Sequence, residues 1–203
     1  KKTRGIFGEV NLKHILSNVF GERNDSIYRL QYTLSTGVIA DSVVFAPEPL
    51  GTIAIDSKFP LEHYQLMTDK KLSPELRENY EKMFRQDMKK HIDAIASKYI
   101  IPGETTDQAI LFLPAEAIFA EVNAYHPDII NYAYKKRVWI TSPTTLISTL
   151  TTIQVIIKNI ESNLIIAGNL PLQGVKLLVI IATKRSRFES IILAPVTPTQ
   201  LHP

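Results

Sequence analysis

The chain has 203 residues, of which 45% are hydrophobic, 21% are charged and none is cysteine, and its formal net charge is +3. This length suits one domain or one domain with an appendage, the apolar content excludes wholesale disorder, and the missing thiols exclude disulfides, thiolate zinc sites and cysteine nucleophiles. No apolar run reaches the ~20 residues of a membrane helix, no signal peptide is visible, and the mild basicity permits a nucleic-acid partner without demanding one.

The first element is a helix over "RGIFGEVNLKHILSNVF", where Ile6, Val10, Leu12, Ile15, Leu16 and Val19 recur at helical spacing and Gly21 stops it. "IYRLQYTL" alternates, with Tyr28, Leu30, Tyr32 and Leu34 on one face, and predicts a half-exposed strand. Thr36-Gly37 turns the chain into a second strand, "VIADSVVF". "PEPLG" is a loop, and "TIAIDSKF" is the third strand. A long helix then starts at Ser73 as N-cap with Pro74 in the first position, and carries an apolar stripe from Leu76 to Tyr99.

"AILFLP" predicts a fourth, buried strand, and two short helices follow, divided by His126-Pro127. "RVWITS" is the fifth strand. Ser142-Pro143 repeats the cap-and-proline start of a last helix through "TTLISTLTTIQVIIKN". After about Asn159 the isoleucine-rich runs are broken by Gly and Pro, and either a small set of strands or a loose tail fits them. The expected organisation is a domain over 1–158 and a divergent, partly disordered C-terminal segment over 159–203. The fold class expected is α/β, with a mixed central sheet flanked by helices: three strands close in sequence favour antiparallel pairing, and strands joined through helices favour parallel additions.

Chemistry concentrates where the apolar strands carry charge. Thr52, Ala54, Asp56 and Lys58 share one face of the third strand by period-two alternation, so an acid and a base emerge together where it ends. Asp41 interrupts the preceding strand on the face of Ile39, Val43 and Phe45, where an acid is costly unless paired. Glu9 lies at the margin of the first helix's buried face, beside Gly5 and Gly8, which are unusual at a helix start unless backbone or phosphate comes close.

Hard carboxylate oxygens hold Mg²⁺, and an adjacent ammonium orients water or offsets phosphate charge. Taken singly, these residues also fit blander roles: a surface ion pair for Asp56 and Lys58, a turn cap or lysine partner for Asp41, a first-turn acid for Glu9. His91 reads as a packing residue beside the apolar stripe, Trp139 as core filling, and Lys135, Lys136 and Arg137 as a solvated turn. No phosphate-binding glycine loop or nucleophile elbow occurs.

Several blocks, in one order, resemble the RmuC family. "TRGIFGEVNL" is similar to its RG-x-W-G-E opening, with Phe7 in place of tryptophan. "ADSVVF" followed by "IAIDSKFPLEHY" resembles its nuclease motif, with Ala40 in place of a proline. "HIDAIASKYI", "LFLPAEAIFAEV" and "VWITSPTTLISTL" continue the likeness, which runs from about Arg4 to about Gln154.

The resemblance implies a restriction-endonuclease-like core of the PD-(D/E)xK nuclease superfamily. It also implies a DNA recombination-associated, metal-dependent nuclease that limits DNA rearrangement in the bacterial cytoplasm. Glu9, Asp41 and Asp56 would be the metal ligands for Mg²⁺ or Mn²⁺, Lys58 would complete the catalytic set, and DNA would be the partner. The family commonly carries an N-terminal membrane anchor or a long coiled coil ahead of this domain, so anchoring and homo-oligomerisation would come from such a segment. The alternative is a domain that keeps the nuclease fold but binds or scaffolds DNA without cutting it.

Overall fold

The computed structural model describes residues 2–22, 24–48 and 50–168, without the side chains of 2–7, 161 and 163–168. In chain order the elements are α1 (Lys2–Phe20), β1 (Tyr28–Thr33), β2 (Ile39–Phe45), β3 (Thr52–Asp56), α2 (Leu61–Thr68), α3 (Pro74–Tyr99), β4 (Ala109–Phe112), α4 (Glu116–Tyr125), α5 (Pro127–Lys135), β5 (Val138–Thr141) and α6 (Pro143–Gly168). Five strands form one sheet in the order β1-β2-β3-β4-β5. β1, β2 and β3 pair antiparallel; β3, β4 and β5 pair parallel. The chain is α/β with a mixed sheet flanked by helices.

Alternation along the strands divides the core in two. Ala54, Ala109, Leu111 and Leu113 face the helices α3, α4 and α5, where Phe84, Met88, Ile92, Val122 and Ile129 are fully buried. Ile55, Ile110 and Phe112 face the other way, against Leu12, Ile15 and Leu16 of α1 and Leu146 and Leu150 of α6. Each such side chain gains about 1.5–3 kcal/mol on burial, so the odd-even pattern of β3 and β4 fixes which helices lie on which face.

Local signals set the helix boundaries. Ser73 accepts a hydrogen bond from the Leu76 N–H and Pro74 takes the first turn of α3. Pro127, which has no N–H to give, separates α4 from α5. α2 was not anticipated from the sequence; its Leu61, Tyr64 and Met67 pack under Phe84 of α3, so tertiary contact rather than a long periodic stripe sustains it.

Three expectations need correction. β1 does not keep Tyr28, Leu30, Tyr32 and Leu34 on one face: Tyr28 packs on the α1 side, Tyr32 on the α3 side, and Leu30 is exposed. Gln31, at φ +48°, breaks the alternation between them. Trp139 does not fill the core; it is 45% exposed on the edge strand β5. α6 runs on to Gly168, past the point near Asn159 where strands or a loose tail were expected.

The chain divides into the units Lys1–Ile157 and Lys158–Pro203. The sheet, both core clusters and the site below belong to the first; of the second, the described residues are the last part of α6. What was expected of residues 169–203, including the apolar run from Val175 and the proline-containing end, lies outside the described residues. Among the described residues no helix is long and apolar enough to cross a membrane.

Candidate functional site

The β2–β3 register pairs Ser42 with Ile55 and Val43 with Ala54, and one step further puts Asp41 opposite Asp56. Both carboxylates are 3% exposed at the edge of the core, which needs compensation, because an unpaired buried carboxylate costs several kcal/mol. Asp41 receives it from the chain leaving β3. Its Oδ2 accepts hydrogen bonds from the Ser57 N–H at 2.8 Å and the Ser57 hydroxyl at 2.9 Å, and its Oδ1 accepts from Lys58 Nζ at 2.5 Å. Burial alone would raise the Asp41 pKa. The hydrogen bonds from Lys58 and the Ser57 backbone, with the Lys58 charge, outweigh it and hold Asp41 below the ordinary carboxylate value.

The same ammonium reaches the second carboxylate: Lys58 Nζ lies 3.8 Å from Asp56 Oδ1. Burial by itself would depress the lysine, but the Asp41 hydrogen bond and the charges of Asp41, Asp56 and Glu9 raise its pKa above the usual value. Lys58 is therefore a cation held between two acids, with its long side chain still 53% exposed to solvent.

α3 closes the other side of Asp56. His91 Nε2 is 2.9 Å from Asp56 Oδ2 but is turned out of hydrogen-bond alignment. The Tyr99 hydroxyl stands between the Ile39 carbonyl at 3.2 Å and Asp56 Oδ1 at 3.4 Å. Burial, then the charges of Asp56 and Asp41, push the Tyr99 pKa far up, so this hydroxyl keeps its proton. The packing role expected for His91 from its place beside the apolar stripe is thus incomplete. Ile95 and Tyr99 follow it at four-residue steps on one face of α3, and a polar ring on that line calls for a polar partner in the core.

Glu9 approaches from α1. It lines a small recess of about 190 Å³ with Lys13, Gln31 and Asp41, and its charge is felt by Lys58. It makes no ion pair or hydrogen bond among the described residues. Gly8 sets the distance, since a Cβ there would stand 2.5 Å from the Ser57 carbonyl oxygen. The close backbone approach expected of these early glycines is met at Gly8 by the β3 exit. Gln31 falls between the Leu30–Ser42 and Tyr32–Ala40 pairs, across from Asp41, so the left-handed residue of β1 lies beside the acid.

The structure thus brings Asp41, Asp56 and Lys58 into contact, with Glu9 beside them. Among the described residues no group of three His, Asp or Glu side chains closes into a ready-made metal cage. The donors nevertheless suit a small hard cation, because two carboxylates already converge on one positive centre, the Lys58 ammonium, at 2.5 and 3.8 Å. Beyond Lys58 a cleft of about 460 Å³ opens along Phe59, Pro60, Lys90 and His91. Lys90 makes no ion pair among the described residues. A pocket of about 420 Å³ beside His126 and an apolar one of about 330 Å³ beside Trp139 share no residue with this site. Lys136 pairs with Asp93 and Arg137 with Asp107, in keeping with a solvated turn before β5.

Comparison with known proteins covers the same stretch. Residues 1–164 match the model of the RmuC family. A DNA recombination protein RmuC homolog of Xylella fastidiosa is 30% identical over 168 residues, which is 75% of this chain and 35% of that protein. A homolog of the same name from Vibrio cholerae is 28% identical over 80% of this chain and 32% of its own length. The DNA recombination protein RmuC of Escherichia coli K12 is 28% identical over 75% of this chain and 33% of its own length. The chain spans about a third of the length of these curated relatives. No solved structure matches it.

Proposed function

The chain belongs to the RmuC family, and on that footing we propose that it is a DNA-processing domain that cleaves phosphodiester bonds with Mg²⁺ or Mn²⁺. The observation that carries the reading is one ammonium, Lys58, held within 4 Å of two buried carboxylates at the mouth of an open cleft. The sheet, in which an antiparallel β1-β2-β3 meander continues into parallel strands, supports assignment to the PD-(D/E)xK nuclease class, with Asp41 as its first acid and Asp56-x-Lys58 as its second motif.

Asp41 and Asp56 would hold the cation through carboxylate oxygens, and Glu9 through water. A bound divalent ion would polarise the phosphodiester and make a coordinated water more acidic. Lys58, released from Asp41, would swing along its exposed side chain to orient the attacking water or offset charge on the phosphate. Lys90, at the cleft wall, offers a second positive charge to the DNA backbone. A part in DNA recombination and in limiting rearrangement follows from the family as part of the same proposal.

A second reading has one specific observation in its favour. The hydrogen bonds from Ser57 and Lys58 already occupy both oxygens of Asp41, as in a structural ion-pair network. A non-cutting DNA-binding or scaffolding domain would be built this way. The two readings separate when purified protein is incubated with labelled linear and single-stranded DNA in Mg²⁺, Mn²⁺ or EDTA. The nuclease reading expects metal-dependent cutting that falls about 10²–10⁴-fold in Asp56→Ala and Lys58→Ala. Cutting that persists in both variants refutes the site, and retention of DNA with no cutting in any metal supports the scaffold.

A further inference from the structure

We infer that His91 is a positioning residue of this site, holding Asp56 Oδ2 from α3 so that Oδ1, the oxygen nearer Lys58, faces the cation position. The inference rests on the nuclease reading above and deepens it.

Among the described residues Asp56 has no backbone N–H partner of the kind that Ser57 gives Asp41. What surrounds it is Lys58 at 3.8 Å, the Tyr99 hydroxyl at 3.4 Å and His91 Nε2 at 2.9 Å. The imidazole is the nearest, and it comes from a different element. His91 follows Ile92's neighbour Met88 along the buried face of α3, where both apolar residues are fully enclosed. The packing of α3 against the sheet therefore fixes the helix that carries the ring. Tyr99, eight residues on, presents its one hydroxyl proton to both the other carboxylate oxygen and the Ile39 carbonyl of β2. Two side chains of one rigid helix thus bracket the carboxylate, one on each oxygen.

A carboxylate on the last residue of a strand would otherwise rotate freely about its χ2 bond. Partners behind a metal-binding group set its orientation, and their loss typically costs 10–100-fold in metal affinity or activity. His91 stands at the cleft beside Lys58 and Lys90 with its Nε2 buried towards Asp56 rather than open to the cleft. Its Nε2 lies within hydrogen-bond distance of Asp56 Oδ2 without an aligned bond, the loose geometry that tightens when a site is occupied.

The test uses the whole chain and the variants His91→Ala and His91→Gln, with two readouts. One is the rise in Tm on titrating Mn²⁺ without DNA; the other is the Mn²⁺ concentration giving half-maximal cleavage. His91→Ala should move both midpoints about 10–100-fold to higher metal, leave DNA retention in EDTA unchanged, and be partly rescued by His91→Gln. Tm in EDTA reports whether each variant folds; if the alanine variant does not, the glutamine variant alone is compared with wild type. Unshifted midpoints in folded variants overturn the role of His91 and leave the nuclease reading standing. A wild-type chain with neither a metal-induced Tm rise nor cleavage overturns both. Loss of DNA retention in EDTA would assign His91 to DNA contact and also overturn the positioning role.

Discussion

Gly8 of α1 and Ser57, just beyond β3, meet backbone to backbone: no side chain fits between them without displacing the Ser57 carbonyl. Ser57 in turn donates two hydrogen bonds to Asp41. One missing Cβ therefore sets how closely the first helix approaches the loop that carries Lys58. Gly8→Ala in an ordinary helix would gain about 0.5–1 kcal/mol. Here a contact of 2.5 Å with backbone should turn that into a loss of about 1–3 kcal/mol, typical of overpacking. Urea unfolding of the variant measures it, and an unchanged or raised stability would show that α1 shifts freely.

Asp41→Asn tests the buried network by its pH dependence. The folded-state pKa of Asp41 is lowered, so its contribution is present above the unfolded value of about 3.9 and disappears as pH falls through the folded value. Its partner Lys58 is raised, so its share persists below about pH 10.4 and is lost only at more alkaline pH. Wild type should exceed the variant by about 1–2 kcal/mol at pH 7, discounted for the exposed lysine, and the gap should close below about pH 4. An equal gap at pH 7 and pH 3 would show that the charge of Asp41 does not matter to the fold.

His126 acts in the same direction but at higher pH. It is 1% exposed where α4 meets α5, and neither ring nitrogen has a hydrogen-bond partner among the described residues. Burial first, then the Arg85 charge, lowers its pKa, against the pull of Glu81, Asp128 and Glu121. The unfolded chain then binds the proton more readily, so stability should fall as pH drops from about 6.5 towards the folded value. His126→Phe should abolish that slope in urea titrations between pH 5 and 7. A variant that keeps the wild-type slope would place the titrating group elsewhere.

Lys90→Glu probes the cleft. Lys90 is exposed and forms no ion pair among the described residues, so reversing it breaks no ion pair there and should cost under about 0.5 kcal/mol of stability. If DNA runs past it, the slope of log affinity against log salt should shrink by about one, uniformly across sequences. Fluorescence anisotropy at several salt concentrations decides it; an unchanged slope would move the DNA path off this wall.

Much of the fold was legible because its signals are short-range. Ser73-Pro74 capped a helix, "AILF" filled a buried strand, and period-two alternation put Asp56 beside Lys58 where β3 ends. Those rules act over a few residues and need no knowledge of neighbours. They also limited what could be read: α2 has no long stripe, and the alternation of β1 looked regular until Gln31 turned it over.

The sequence by itself determined the type of every element but α2, the mixed character of the sheet and the emergence of Asp56 and Lys58 together at the end of β3. Tertiary structure alone decided that Ser57 and Lys58 both serve Asp41, that His91 reaches Asp56 from α3, that Gly8 is a contact point, and that Trp139 faces solvent. Periodicity gives the side of an element on which a residue sits. What stands opposite it depends on register and helix packing, which the whole core selects through burial summed over many residues.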